Sequence, residues 1–236
     1  MNMNMNPNSE LEQSVVSVPN LAQVPEDLIN QAREFQEALM MYTCAIREVK
    51  TKLEVLNDEL SVRNQRNPIE MIKSRVKKPL SIVEKLRRKN LPVSLESMLD
   101  NLDDVAGIRV ICSFIDDIYA VASMLVSQDD IRVIAIKDYI KHPKPNGYRS
   151  YHLIVEIPVF FSDRKKNMRV EVQIRTIAMD FWASLDHQLK YKKDIGQVAE
   201  AISEELRQCA EAIAETDEHM LRIRKKIEME GVAVRR

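Results

Sequence analysis

A nine-residue stretch, MRVEVQIRT at residues 168–176, alternates strictly between apolar and polar side chains. Alternation with a period of two predicts a strand that is buried on one face only. The polar face carries Arg169, Glu171, Gln173 and Arg175. A carboxylate placed between guanidinium groups is able to hold a metal ion beside a phosphate. The alternative is an ordinary half-exposed strand with cross-strand ion pairs.

A second carboxylate, Asp104, follows Asp103 at the entry to an apolar run at residues 105–114. Two carboxylates brought together in a nucleotide site usually bind Mg²⁺. Asp104 and Glu171 are therefore the candidate metal ligands. The alternative for Asp104 is a helix cap or a salt bridge.

Basic side chains cluster at residues 73–89, where eight Lys or Arg accompany one acid, Glu84. The chain has only four glycines, and none of them forms a P-loop or a GxGxxG pattern. A nucleotide would therefore be held mainly by side chains, with Arg binding phosphate bidentately and Lys acting as a point charge. The candidates are Arg75, Lys77, Lys85, Arg88 and Arg109. A solvated basic face is the alternative.

A loop at residues 141–150, KHPKPNGYRS, is the third candidate region. Asn146 and Gly147 predict a turn, and Tyr148 behind it offers a flat ring on which a base can stack. Lys144, Arg149 and His152 are placed to meet the phosphates or the sugar. The alternative is a plain hairpin turn with partly buried tyrosines. The three candidate regions must be positioned by the elements around them.

Two heptad repeats bracket the middle of the chain, one from Leu28 to Leu60 and one from Ile202 to Ile227. They predict a long N-terminal helix over residues 25–66 and a matching C-terminal helix over residues 194–236. The seams are able to pack on each other, on the core or on another subunit, and two long seams favour a homo-oligomer. Residues 1–24 lack periodicity and indicate a disordered tail.

Between these helices the sequence predicts helical segments first. Residues 69–73 indicate a short helix, Ser81 and Glu84 form a capping box that predicts a helix start, and Ser94 predicts the cap of a short helix that runs to Asp100. Strands are predicted over residues 105–114, 131–140, 151–160 and 168–176, with helices over residues 116–128 and 177–191. The order predicts an α+β fold with a mixed, largely antiparallel β-sheet flanked by the two long helices.

Composition indicates a cytoplasmic protein. The net charge is −1, so overall charge does not favour non-specific nucleic-acid binding. The three cysteines are far apart and outside any CxxC pattern, as in proteins of a reducing compartment. We find no signal peptide and no apolar run of membrane-spanning length, and hence no sign of a membrane partner.

Four strings carry a family resemblance: DDVAGIRV at residues 103–110, NGYRSYHLIV at 146–155, VEVQIRT at 170–176 and FWASLDHQLKYK at 181–192. In this order and spacing they resemble the synthetase domain of RelA/SpoT-type alarmone synthetases. The resemblance covers residues 67–193, and the flanking helices and the length resemble the small, stand-alone, RelQ-like class. It implies a nucleotidyltransferase-like synthetase domain.

The resemblance also implies a reaction and the residues that perform it. The reaction is transfer of pyrophosphate from ATP to the 3′-hydroxyl of GTP or GDP, which makes pppGpp or ppGpp. Asp104 and Glu171 match the Mg²⁺ ligands, and Glu171 also matches the residue that orients or deprotonates the hydroxyl. The residues matched to ATP are Arg75, Lys77, Lys85, Arg88 and Arg109, joined by Lys137. Those matched to GTP or GDP are Lys144, Asn146, Tyr148 and His152.

The resemblance implies a homotetramer, with an alarmone effector at the subunit interface and single-stranded RNA as open possibilities. The residues before Asn67 lack the His and Asp set of a hydrolase domain, so we predict synthesis without hydrolysis. Asp186 and His187 are interpreted as packing or hydrogen-bonding residues. The competing hypotheses are a catalytically weak module that binds guanine nucleotides or RNA, and a coiled-coil scaffold.

Overall fold

The computed structural model describes residues 25–64, 66–190 and 199–230. The strands are β1 (Ile69–Val76), β2 (Ala106–Cys112), β3 (Arg132–Asp138), β4 (Tyr151–Phe160) and β5 (Lys165–Thr176). The helices are α1 (Glu26–Asn64), α2 (Pro79–Arg88), α3 (Leu95–Asn101), α4 (Ile115–Val126), α5 (Ile177–Lys190) and α6 (Ala199–Met229). The predicted tail at residues 1–24 lies outside the described residues.

All five strands form one sheet in the order β1-β2-β5-β4-β3. β2 and β5 run parallel, and the other three neighbouring pairs are antiparallel. The predicted α+β fold with a mixed, largely antiparallel sheet is therefore confirmed. β4 and β5 form the expected hairpin, and β5, which carries MRVEVQIRT, is the central strand.

The apolar face of β5 is buried as its alternation predicts. Val170, Val172 and Ile174 have no exposed surface, because α1 packs across this side of the sheet against β1, β2, β4 and β5. α1 contributes seven residues to the core: Ala38, Met41, Tyr42, Ala45, Ile46, Val49 and Leu53. The opposite, polar face of β5 is left open for chemistry.

The two predicted heptad seams have different partners. The middle of α1, from Ala38 to Leu53, packs on the sheet. By contrast, α6 packs on α5, where Trp182 Nε1 donates a hydrogen bond to the Leu206 carbonyl at 2.9 Å. Along α6, Met220, Ile223 and Ile227 remain exposed in the single chain. No helix in the described ranges is long and apolar enough to cross a membrane.

The prediction of a short helix at residues 69–73 is wrong. These residues open β1, which pairs antiparallel with β2 from Ile69 to Val76. β1 is an edge strand with little burial, so its sequence carries no clear period of two. Its backbone donors and acceptors are satisfied by a partner more than thirty residues away, which local pattern cannot detect.

The capping box at Ser81 does not start α2 either. The helix begins at Pro79, with Lys78 in extended conformation as its N-cap. Proline suits the first helical position because its fixed φ matches the helix and its missing N–H would be unsatisfied there. Ser94 caps α3 as predicted, since its Oγ accepts a hydrogen bond from the Ser97 N–H at 3.1 Å.

Candidate active site

The strand register aligns one polar row across the whole sheet. Lys73 pairs with Arg109, and Arg109 pairs with Gln173. On the other side of β5, Gln173 pairs with His152, and His152 pairs with Lys137. Residues that pair directly share a face of the sheet. This row therefore crosses the polar face of β5 at Gln173, two residues along the strand from Glu171.

Asp104 lies just before β2 and is held by two lysines. Lys77 Nζ and Lys85 Nζ each lie 2.5 Å from Asp104 Oδ2. Burial raises the pKa of this carboxyl, but hydrogen bonds from Lys77 and Lys85 outweigh burial and hold it below the usual value. Asp104 is therefore a carboxylate at neutral pH. It lies close enough to Glu171 for its negative charge to raise the pKa of Glu171.

Glu171 is also ionised, for a similar reason. Its Oε1 lies 3.3 Å from His152 Nδ1, and its Oε2 accepts a hydrogen bond from Gln173 Nε2 at 2.8 Å. Burial raises the pKa of Glu171 and the charge on Asp104 adds to this, but the contacts with His152 and Gln173 prevail and lower it. The protein thus keeps a partly buried carboxylate ready to accept a proton.

A cavity of about 670 Å³ opens between the polar face of the sheet and α5. This volume is that of a small-molecule site. Its sheet side is lined by Arg75, Arg109, Tyr148, Gln173 and Arg175, and its helix side by Ala183, Ser184, Asp186, His187 and Gln188. Three guanidinium groups in one wall make the cavity suited to an anion.

Arg109 is an arginine of the cavity wall whose hydrogen bonding is incomplete. One of its terminal nitrogens lies 3.2 Å from Asp180 Oδ1, whereas its buried Nε has no hydrogen-bond partner among the described residues. Burial and the nearby Arg175 lower the pKa of Arg109. A phosphate oxygen would accept a hydrogen bond from Arg109 Nε and bring negative charge beside Arg109 and Arg175.

The loop before β4 places Tyr148 at the cavity. Gly147 N–H donates to the Lys144 carbonyl at 2.8 Å, and Asn146 Oδ1 accepts from Tyr148 N–H at 3.3 Å. The Tyr148 hydroxyl lies 2.8 Å from His152 Nε2. Lys144 Nζ lies 4.8 Å from the centres of the Tyr139 and Tyr148 rings. The predicted turn therefore places the Tyr148 ring, the predicted stacking surface, at the cavity.

Most of the predicted site residues come together, and two do not. Arg75, Arg109 and Tyr148 line the cavity. His152 and Glu171 are bonded to its lining residues Tyr148 and Gln173, and Lys77 and Lys85 are gathered on Asp104. Arg88 lies one turn beyond Lys85 on α2 and is exposed. Lys137 lies on β3, three strands from Arg109, and faces His152 in register. The structure does not place Lys137 with the residues matched to ATP.

Arg149 ties the loop to α6. Its Nη1 donates to the carbonyls of Gly147 and Ala210 at 3.1 and 3.2 Å. Ala210 lies on a helix 61 residues later, so the loop sequence alone does not reveal this contact.

The sequence reasoning missed several lining residues. Gln173 and Arg175 lie on the predicted polar face of β5, but the sequence assigned them no role. Asp180, the partner of Arg109 and Arg175, was also missed, although it is not part of the cavity lining. Asp186 and His187 were interpreted as packing or hydrogen-bonding residues, and both also line the cavity. A signal was present, because Ala183, Ser184, His187 and Gln188 fall on one face of α5 at helical spacing, next to β5 in the chain.

The site and the fold agree with the comparison to known families. The family described as "Region found in RelA / SpoT proteins" matches residues 74–196. This range covers more than half of the chain and includes β2, β4, β5 and the loop that carries Tyr148. The chain therefore belongs to the RelA/SpoT family.

Within this family the chain is similar to small synthetases. It is 43% identical to GTP pyrophosphokinase YwaC of Bacillus subtilis, over 86% of this chain and 96% of YwaC. It is 38% identical to GTP pyrophosphokinase YjbM of the same organism, over 83% of this chain and 91% of YjbM. The full length of both relatives is thus nearly covered.

Solved structures show the same likeness. The small alarmone synthetase 1 from Bacillus subtilis bound to its product pppGpp has a TM-score of 0.75 at 38% identity, covering 83% of this chain and 99% of that one. The same synthetase bound to AMPCPP has a TM-score of 0.70 at 36% identity, covering 84% and 99%. Small alarmone synthetase 2 gives 0.72 at 46% identity, covering 80% and 97%.

The pair Asp104 and Glu171 fits a hard divalent cation. Both groups are carboxylates, and oxygen ligands are the ones that Mg²⁺ prefers. Asp104 Oδ1 is buried and has no hydrogen-bond partner in the described part of the chain, and a cation would satisfy it. The described residues contain no cluster of three or more metal-ligating side chains. A cation held here would therefore take further ligands from water or from substrate phosphates, as Mg²⁺ often does.

Proposed function

We propose that this protein is a synthetase-only GTP pyrophosphokinase, which transfers pyrophosphate from ATP to the 3′-hydroxyl of GTP or GDP. The products are pppGpp or ppGpp, the alarmones of the stringent response, and AMP. The observation that carries this proposal is the Glu171 carboxylate, which is held by His152 and by Gln173. Gln173 itself lines the arginine-rich cavity.

Glu171 is the general base of this reaction. It accepts the proton of the 3′-hydroxyl as the hydroxyl oxygen bonds to the β-phosphorus of ATP. The bond between the β-phosphorus and the oxygen that bridges to the α-phosphate then breaks, and AMP leaves. No covalent bond to the enzyme is needed, because alignment and neutralisation of charge supply most of the rate enhancement in phosphoryl transfer.

The basic side chains hold the phosphates of ATP. Arg75 and Arg109 line the cavity, Lys77 and Lys85 surround Asp104, and Arg88 extends the basic surface along α2. Each charged hydrogen bond to a phosphate contributes about 1.5–3 kcal/mol, so several of them hold a triphosphate without a glycine-rich loop.

Asp104 and Glu171 would hold Mg²⁺, which neutralises charge on the phosphates when it is bound. Lys77 and Lys85 keep Asp104 ionised before the substrates arrive, so this carboxylate does not have to lose a proton first.

The acceptor nucleotide binds on the other side of Glu171. Guanine stacks on the Tyr148 ring, Asn146 shapes the turn behind it, and Lys144 and His152 meet the sugar and phosphates. The position of Lys137 opposite His152 favours a contact with the acceptor over the contact with ATP that the sequence suggested.

The whole-chain organisation is proposed on the same grounds. The synthetase domain comprises residues 67–193, with residues 25–66 and 194–236 as helical additions. A homo-oligomer, and in particular a homotetramer, is supported by the apolar residues of α6 that one chain leaves exposed. A cytoplasmic location is supported by three unpaired cysteines. An alarmone effector and single-stranded RNA remain proposals that rest on the resemblance alone.

One assay tests the function. The protein is incubated with Mg²⁺, γ-labelled ATP and either GDP or GTP, and the nucleotides are separated. We expect the label on a guanosine nucleotide with a 3′-pyrophosphate, and AMP in equal amount. Label that stays on ATP at every enzyme concentration, together with measurable affinity for guanine nucleotides or RNA, would instead establish a binding module.

A further inference from the structure

Arg175 is the most buried charged side chain at the site. It is the penultimate residue of β5, and only 4% of its side chain is exposed. Its Nε donates to Ser150 Oγ at 3.2 Å, and its Nη1 donates to Asp180 Oδ1 at 3.2 Å. Its Nη2 donates to Tyr148 Oη at 2.5 Å and to Gln173 Oε1 at 3.0 Å. Four of the five N–H groups of a guanidinium are thus used by protein atoms.

These bonds close a ring that ends on both oxygens of Glu171. One branch runs from Arg175 through the Tyr148 hydroxyl to His152 and on to Glu171 Oε1. The other branch runs from Arg175 through the Gln173 amide to Glu171 Oε2. Arg175 is the only group in the ring that donates into both branches.

The two ends of the ring set the direction of its hydrogen bonds. A guanidinium has donors and no acceptor, whereas the Glu171 carboxylate has acceptors and no donor. Tyr148 Oη therefore accepts from Arg175, which leaves its own proton for His152 Nε2. Neutral His152 then carries its hydrogen on Nδ1 and donates it to Glu171. In the second branch, Gln173 must turn Oε1 toward Arg175 and its NH₂ group toward Glu171. Arg175 thus holds both donors in the orientation that the carboxylate requires.

We propose that Arg175 is a positioning residue, which fixes the His152 tautomer and the Gln173 amide so that both donate to Glu171. This role rests on the proposed function of Glu171 as the base. Arg175 differs in this respect from Arg109, whose Nε is left without a partner among the described residues and is available to a phosphate.

The kinetic test compares Arg175→Met and Arg175→Lys with the wild type. Arg175→Met removes both branches at their source, and we expect kcat to fall by roughly 10²-fold with KM values for both nucleotides close to those of wild type, because misplacement of a reacting group acts on the chemical step. Arg175→Lys keeps a cationic donor and should retain more of kcat. A large rise in KM with kcat unchanged would show a ligand-binding role and overturn the proposal.

Arg66→Met provides a control for the loss of a partly buried ion pair. Arg66 bonds bidentately to Asp117 at 2.6 and 2.7 Å, away from the cavity. We expect this variant to melt at lower temperature with an unchanged kcat. If the Arg175 variants lose activity only in proportion to lost folded protein, as judged by circular dichroism, the role of Arg175 is merely structural.

A measurement without substrates separates this inference from the proposed function. The chain contains four histidines, so ¹⁵N-histidine NMR spectra are readily assigned with His152→Leu. We expect His152 in the wild type to be neutral with its hydrogen on Nδ1, and Arg175→Lys to keep this state more fully than Arg175→Met. A hydrogen on Nε2 in the wild type would overturn the proposal even if the enzyme makes alarmone. Failure of the wild type to make alarmone would overturn only the proposed function of Glu171.

Discussion

Two opposing influences act on Glu171. Burial raises its pKa, whereas the contacts with His152 and Gln173 lower the pKa and prevail. The same balance holds at Asp104, where Lys77 and Lys85 oppose burial. The neighbours of each carboxylate therefore lower its pKa, and we expect removal of a neighbour to raise that pKa.

Replacement of Glu171 with Gln should remove the base and keep the shape. We expect product formation to fall by about 10²–10⁴-fold, the usual contribution of a general base, with an unchanged circular dichroism spectrum. Initial rates of alarmone formation measure this. Turnover at the wild-type rate would contradict the assignment of Glu171.

Replacement of His152 with Leu should move the pH dependence of the reaction. Without the His152 contact, burial and Asp104 raise the pKa of Glu171, so the acidic limb of kcat/KM shifts to higher pH. Because its pKa is lowered, the wild-type carboxylate stays charged even at the pH where an ordinary Glu would be half protonated. It loses its charge only as pH falls through the folded-state pKa. A pH–rate profile measures the shift, and Arg66→Met, which is remote from the cavity, should leave the profile unchanged.

At the scale of elements, the loop that carries Tyr148 depends on α6. Gly147 has φ +86°, and a Cβ atom there would lie 2.5 Å from Ala210 Cβ and 3.3 Å from Arg207 Cα. Glycine is required twice, once for the left-handed backbone and once for the close approach of the helix. Arg149 adds two hydrogen bonds across the same contact.

Replacement of Gly147 with Ala should therefore move the loop from the helix. We expect KM for the acceptor nucleotide to rise by roughly tenfold, equivalent to about 1.4 kcal/mol of lost binding, with a much smaller change in KM for ATP. Initial rates with each nucleotide varied in turn measure this. Val55→Ala is a control, because Val55 lies on α1 and is 59% exposed. Equal effects on both KM values would contradict a loop-specific role.

The elements also show where local sequence was sufficient. β4 was predicted with its observed bounds, and β5 from its strict alternation, because each has a continuous apolar face. The edge strand β1 was mistaken for a helix because its partner lies on β2. The contact of Arg149 with α6 was not predicted, because Ala210 lies on a separate element.

At the scale of the whole molecule, α1, a helical addition to the proposed synthetase domain, shares one hydrophobic core with the sheet. Leu53 has no exposed surface, whereas Val55, two residues later on the same helix, is 59% exposed. We expect Leu53→Ala to lower the free energy of unfolding by about 2–5 kcal/mol. Val55→Ala, the control, should change it by no more than about 0.5 kcal/mol. Urea denaturation measures both, and a small effect of Leu53→Ala would mean that α1 does not stabilise the sheet.

The sequence by itself determined the fold class, the polar face of β5 and the candidate carboxylates, since these follow from alternation and composition within short stretches. Family resemblance then supplied the reaction. Only the tertiary structure decided that Arg175, Tyr148, His152 and Gln173 close a ring on Glu171, and that Lys137 lies opposite His152. The reason is physical. Hydrogen bonds of this ring join β4, β5 and the preceding loop, and contacts between separate elements depend on strand order and register, which no local pattern encodes.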